Sequence, residues 1–134
     1  MSALDRLGPP ELRTVVSRYR DALRAHQEEL NRLNVYPVPD GDTGTNMALT
    51  LESVTNEIGT AESMTEVCRA VAHGSLMGAR GNSGVILSQI LRALADTFSD
   101  LDGAGGADVV AGLRHAADAA YQAVMRPVEG TILT

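Results

Sequence analysis

The stretch Asn34-Val-Tyr-Pro-Val-Pro-Asp-Gly-Asp-Thr-Gly-Thr-Asn46 constrains the fold more than any other part of the chain. Pro37, Pro39, Gly41 and Gly44 fall within eight residues, so the backbone there is neither regular helix nor central strand. It is a shaped loop, and the residues on either side must form separate elements. Before it, Leu12, Val15, Val16, Tyr19, Leu23, Leu30 and Leu33 recur at helical spacing. That pattern predicts one amphipathic helix over residues 11–33, opened by Pro9 and Pro10, with Glu11 near the positive end of its dipole.

Four more helices are expected after the loop. The first covers residues 43–58, with Met47, Leu51, Val54 and Ile58 on one face and Gly59 as its stop. The second opens with the capping box Ser63-Met-Thr-Glu66 and carries Met64, Val67, Val71 and Leu76. The third covers 84–98, with Val85, Ile86, Ile90, Leu91, Leu94 and Phe98 inward. The fourth is capped by Asp108 and bears Val109, Val110, Leu113, Ala117, Tyr121 and Val124. Residues 100–106 read as a surface loop, and residues 126–134 break the last helix and begin another.

At 134 residues the chain fits a single domain, residues 1–134. Aromatic residues make up 3% and Trp is absent, so the core must come from Leu, Val, Ile, Met and Ala, which favours packed helices and an all-α fold over a sheet sandwich. A net charge of -6 leaves no basic stripe for nucleic acid. All 11 basic residues are Arg. A Walker-type phosphate loop and a protein-kinase site both need a Lys, so both are excluded, and phosphate charge must be met by metal, Arg or backbone. Cys68 has no partner for a disulfide, the N-terminus lacks an apolar leader, and no run is long enough to span a membrane; a cytoplasmic location is expected. His26 reads as a surface residue and His73 as a packing or capping one. His115 has no ligand companions, and one Cys with three scattered His gives no zinc spacing.

Two stretches carry candidate chemistry. Asp40 and Asp42, two apart with Gly41 between them, can converge on one hard cation. Thr43, Gly44, Thr45 and Asn46 then open a helix, where free N–H groups and the positive dipole end favour an anion. The second stretch, residues 74–84, holds four glycines in eleven residues and is expected to be a loop rather than a helix. Its Asn82-Ser83-Gly84 can form a helix N-cap that cradles phosphate. Arg80 is placed either to contact that phosphate or to remain solvated. Calcium is excluded because the fifth, sixth and twelfth positions from Asp40 are Gly44, Thr45 and Leu51, where the calcium loop needs Asp or Asn, Gly and Glu. Ser83 lacks the Gly-x-Ser-x-Gly elbow of a hydrolase nucleophile. Spacing and composition alone leave two readings, a magnesium-phosphate loop and a purely structural Pro/Gly turn.

The exact residues go further. Residues 33–47, then Gly78-Ala-Arg-Gly-Asn-Ser-Gly-Val-Ile-Leu-Ser-Gln89, then Arg126-Pro-Val-Glu-Gly-Thr-Ile-Leu-Thr134, in this order, resemble the dihydroxyacetone kinase L-domain superfamily. They are most similar to the N-terminal ATP-binding domain of the bacterial fatty acid kinase large subunit. The resemblance implies an antiparallel, barrel-like helical bundle that binds ATP through Mg2+, with the family domain's final helices lying beyond this chain. Carried over by position, Asp40 and Asp42 match the catalytic metal-binding acids. Asn34 stands near a further metal-binding Asp of the dihydroxyacetone kinase relatives. Thr43 to Asn46, Gly81, Asn82, Ser83, Gly84, Gly130 and Thr131 match nucleotide-binding segments. The implied activity is transfer of the ATP γ-phosphoryl group to a fatty acid carboxylate presented by a separate lipid-binding protein. A homodimer would form through regions outside this chain. A dihydroxyacetone-type acceptor, or nucleotide binding without turnover, are the alternative readings.

Overall fold

The computed structural model describes residues 6–33, 42–101 and 103–125, with the side chains of the last two left aside. The described residues form six helices: α1 (Pro9–Ala25), α2 (Gln27–Leu33), α3 (Thr43–Ile58), α4 (Met64–Gly78), α5 (Gly81–Phe98) and α6 (Gly106–Met125). Among them β structure is limited to one isolated bridge between Leu7 and Ala104, which ties the start of α1 to the start of α6. The fold is all-α, as expected, and none of these helices is long and apolar enough to cross a membrane.

Short connections make successive helices antiparallel neighbours. Ser53 Oγ donates to the Gly74 carbonyl at 2.8 Å while Thr50 reaches the Gly78 carbonyl, so α3 and α4 run in opposite directions. Thr65 donates to the Ser99 carbonyl and links the start of α4 to the end of α5. The core is aliphatic: Leu51, Val54, Val67, Val71, Leu87 and Leu91 are buried, with Cys68 and Phe98 among them.

Three helix starts and one helix end carry a local device. Glu11 reaches back to the Gly8 amide at 2.8 Å, and Ser63 Oγ accepts from the Glu66 amide at 3.1 Å. Gly59 ends α3 with φ +49°, a left-handed angle that glycine adopts without a steric penalty. Asp108 lies inside the first turn of α6 and accepts from the Gly105 amide, so the helix begins two residues before the expected cap.

Three further expectations are corrected. The single helix over 11–33 is broken at His26, where φ is -107° and ψ 10°; this lets α2, which buries none of its residues, lie across the first turn of α3. Residues 74–78 are helical and complete α4, because their glycines face α3 at close range. On α6 the large apolar side chains Val110, Leu113 and Tyr121 are 49–70% exposed, and the small residues Gly112, Ala116 and Ala120 are the buried ones. Gly112 sits against Phe98 and Leu94, a separation that only small residues permit. Val85 and Leu76 are likewise exposed rather than inward.

Candidate functional site at the paired starts of α3 and α5

The two glycine-bearing stretches meet at one end of the bundle. Ser83, in the first turn of α5, donates to the Thr43 hydroxyl, in the first turn of α3, at 3.5 Å. Small residues bring them together. A Cβ on Gly84 would lie 2.7 Å from Thr50 Oγ1, and one on Gly81 would collide with the Asn46 amide group. Gly81 also has φ +64°, so a side chain there would meet both a collision and an unfavourable backbone angle. Beneath this contact Thr50, fully buried, donates to the carbonyl of Asn46 at 2.8 Å and lies 3.4 Å from that of Gly78. One side chain thereby joins the start of α3 to the end of α4.

The local backbone supplies unused donors. The first-turn amides of a helix have no partner within it. In α3 the Thr45 amide is taken by Asn31 Oδ1 at 3.1 Å and the Asn46 amide by the Asp42 carbonyl, and those of Thr43 and Gly44 have no partner among the described residues. In α5 the Gly84 amide bonds to the Arg80 carbonyl, and the first three have no partner among the described residues. Two positive helix ends thus lie side by side, a setting that favours an anion. Beside them stands Asp42, the N-cap residue of α3, exposed and making no capping bond with its side chain. Its carboxylate is a hard oxygen donor with no protein partner among the described residues.

Of the residues singled out from sequence, the structure gathers Asp42, Thr43, Asn46, Gly81, Ser83 and Gly84 here. Asn82 is half-buried in the first turn of α5, not in a preceding loop; the N-cap is Arg80, exposed and without an ion pair or side-chain hydrogen bond among the described residues. Asn34, Asp40, Gly130 and Thr131 lie outside the described residues. At Thr45 both the amide and the hydroxyl are occupied by α2, the hydroxyl accepting from Gln27 at 3.1 Å and from Asn31 at 3.0 Å. Gln27 and Asn31 were not legible as site neighbours, because nothing in the spacing of α2 marks which polar residues turn toward the loop.

The rest of the surface offers other chemistry only in part. Among the described residues no three His, Cys, Asp or Glu side chains group as metal ligands. Each histidine faces one acid: His26 with Glu29, His73 with Glu57 and His115 with Asp96. A groove of about 500 Å³ lies between α4, α5 and α6 and another of about 530 Å³ at the α3–α4 turn, both away from the paired helix starts. Burial pushes the Cys68 thiol up from 9.0 to about 11, so it is a packed, protonated side chain and not a nucleophile.

The chain has long relatives. It is 46% identical over 114 residues to Protein YloV of Bacillus subtilis, a match that covers 84% of this chain and 21% of that protein. An uncharacterised protein of Staphylococcus saprophyticus is 45% identical over 116 residues, again 84% of this chain and 21% of the relative. One of Staphylococcus haemolyticus is 48% identical over 107 residues, 78% and 19%. The chain therefore spans about a fifth of the length of these curated relatives. The family model described as the DAK2 domain matches residues 37–134, which include both paired helix starts. The chain belongs to the DAK2 domain family, which is associated with nucleotide binding and kinase-related function.

Proposed function

We propose that this chain is the nucleotide-binding part of a Mg2+-dependent phosphotransferase, and that the acceptor is a fatty acid carboxylate brought by a separate lipid-binding protein. The observation that carries the reading is the junction of two helix starts at Thr43 and Ser83, with the uncapped carboxylate of Asp42 beside them. The residues present fit a metal-bound polyphosphate. Backbone amides of Thr43, Gly44, Asn82 and Ser83 suit phosphate oxygens, and Asp42 suits a hard divalent cation. Asp40, and Asn34 with it, complete the cation side in this reading, and Gly130 and Thr131 the nucleotide side.

ATP, when bound, would supply the phosphoryl group and Mg2+ most of the charge neutralisation, in a chain that has Arg and backbone amides but no Lys. The protein's share is to hold phosphate oxygens on preformed donors, whose orientation costs nothing at the moment of transfer. A carboxylate acceptor is already ionised at neutral pH, so no general base is asked of this chain. The choice of a fatty acid over a small keto-alcohol rests on the Asn34-Val-Tyr-Pro-Val-Pro39 form of the loop.

The test has two stages. Binding of a fluorescent ATP analogue to the 134-residue chain is expected to require Mg2+ and to weaken about tenfold or more in Asp42→Ala and Asp40→Ala, on the order of 1.4 kcal/mol. The protein, given ATP and a lipid-loaded carrier, should then form acyl phosphate that hydroxylamine traps. Mg2+-dependent binding that survives both substitutions unchanged overturns the site. Binding without any hydroxamate overturns the acceptor.

A further inference from the structure

The first turn of α3 is capped in an unusual way. An N-cap Asp normally turns its carboxylate onto the amide two or three positions on, and Asp is among the strongest residues in that place. Asp42 holds the N-cap position of α3 but makes no such bond and is exposed. Of the two amides within its reach, that of Thr45 is held by the Asn31 side chain from α2, and that of Gly44 receives no bond from Asp42 either. The arrangement is reciprocal, since Asn31 Nδ2 donates to the Thr45 hydroxyl at 3.0 Å and Gln27 Nε2 donates to the same oxygen at 3.1 Å. Gly44 allows this approach: a Cβ there would lie 2.9 Å from Leu30 Cβ and 3.1 Å from Asn31 Oδ1, and would collide with the Gln27 carbonyl.

We propose that Asn31 is a positioning residue which caps α3 from a neighbouring helix and so releases the carboxylate of Asp42 for the cation; the second half of this statement rests on the site reading above. One N–H can satisfy one strong acceptor. If the carboxylate were that acceptor, its charge would be engaged by the helix end and turned toward the helix axis. A neutral amide oxygen in its place satisfies the helix and leaves the full charge outward. The bond joins Asn31 and Thr45, 14 residues apart in sequence, so the cap also ties α2 to the first turn of α3.

A double-mutant cycle in unfolding stability decides the exchange without any ligand. In the 134-residue chain Asp42→Ala is expected to change the unfolding constant by less than about twofold, because its side chain caps nothing. In Asn31→Ala the Thr45 amide is released and Asp42 swings in; removing Asp42 in that background then shifts the constant by about fivefold, the worth of a cap. Asn31→Asp keeps an acceptor on the Thr45 amide, and Asp42→Ala is again near neutral. Hydrogen exchange at the Thr45 amide follows the same order, slow in each single variant and fast only in Asn31→Ala/Asp42→Ala. If Asn31→Ala does not fold, Asn31→Ser, too short to span the gap, carries the same cycle. Additive effects, or a Thr45 amide equally protected in the double variant, overturn the proposal. Mg2+-ADP affinity separates the two levels: it should fall about fivefold in Asn31→Ala and be kept in Asn31→Asp. An affinity indifferent to Asp42→Ala removes the site reading and the purpose assigned to the exchange, while the stability cycle still decides whether the exchange occurs.

Discussion

Gly74→Ala and Gly106→Ala make the same chemical change inside helices and are expected to act with opposite signs. Ala is favoured over Gly within a helix by about 0.8–1 kcal/mol, and on that basis both should stabilise. At Gly74, however, a Cβ would lie 2.9 Å from the Val54 Cα, 3.0 Å from the Glu57 Cβ and 3.1 Å from the Ser53 carbonyl oxygen. Two of these are backbone atoms that no rotamer change can move. Helices α3 and α4 would have to separate by a few tenths of an ångström along the length where Val54, Val67 and Val71 are packed, and Ser53 Oγ would lose alignment with the Gly74 carbonyl. Overpacking of this kind costs about 1–3 kcal/mol, and a strained hydrogen bond about 0.5 kcal/mol more, against roughly 0.9 kcal/mol of gained propensity. The net expectation is a loss of about 1–2 kcal/mol, or a fall in Tm on the order of 3–7 °C for a chain of this size. At Gly106, by contrast, nothing lies within 4 Å of the added methyl, and the substitution should be neutral or stabilise by up to about 0.5 kcal/mol, since the first turn feels propensity only in part. Urea unfolding followed by circular dichroism at 222 nm measures both. A Gly74→Ala protein as stable as Gly106→Ala would refute the close α3–α4 approach.

Two more outcomes follow from the same structure. Ser63→Ala should lower stability by about 1 kcal/mol through loss of the cap on the Glu66 amide, seen as a lower urea midpoint at unchanged slope, whereas Ser63→Asp should hold it. The Cys68 thiol, raised to about 11, should react with a disulfide reagent at pH 8 only as fast as the protein opens; because the folded state holds the proton more tightly than the unfolded state, its contribution to stability is whole below about pH 9 and is lost as pH rises toward 11.

How far the sequence speaks for this fold depends on which force places each element. The helix over residues 43–58 is legible to the residue, because apolar periodicity, a glycine stop and a proline-rich loop before it all agree. On α6 the helix was legible but its inward face was not. A reading that assigns the core to the largest apolar side chains selects Val110, Leu113 and Tyr121, while the residues that α6 buries are Gly112, Ala116 and Ala120, with Gly112 against Phe98 and Leu94 of α5. Close helix approach rewards small residues, and their signal is weak in any hydrophobicity pattern. The break at His26 was invisible for a related reason. It is held by α2 on α3 through Gln27, Asn31 and Thr45, contacts between residues 14 and 18 apart that no local spacing encodes.

The glycines of residues 74–84 show why the candidate site could be located but not drawn. Read along the chain they suggest one loop, because a helix interior with repeated glycine is costly on its own. In space they divide into two tasks. Gly74 and Gly78 lie within α4 and let it approach Ser53 of α3, so their cost in propensity is offset by packing. Gly81 and Gly84 lie at the start of α5, and there the same smallness seats that start against Asn46 and Thr50, directly beside the first turn of α3. Gly81 and Gly84 thus set the distance between two helix ends. On the function proposed above, the amides of Thr43, Gly44, Asn82 and Ser83 are set side by side by helix packing. A substitution that forces α3 and α5 apart is then expected to weaken Mg2+-ADP binding even where it touches none of these groups, and affinity unchanged in such a variant would count against that function.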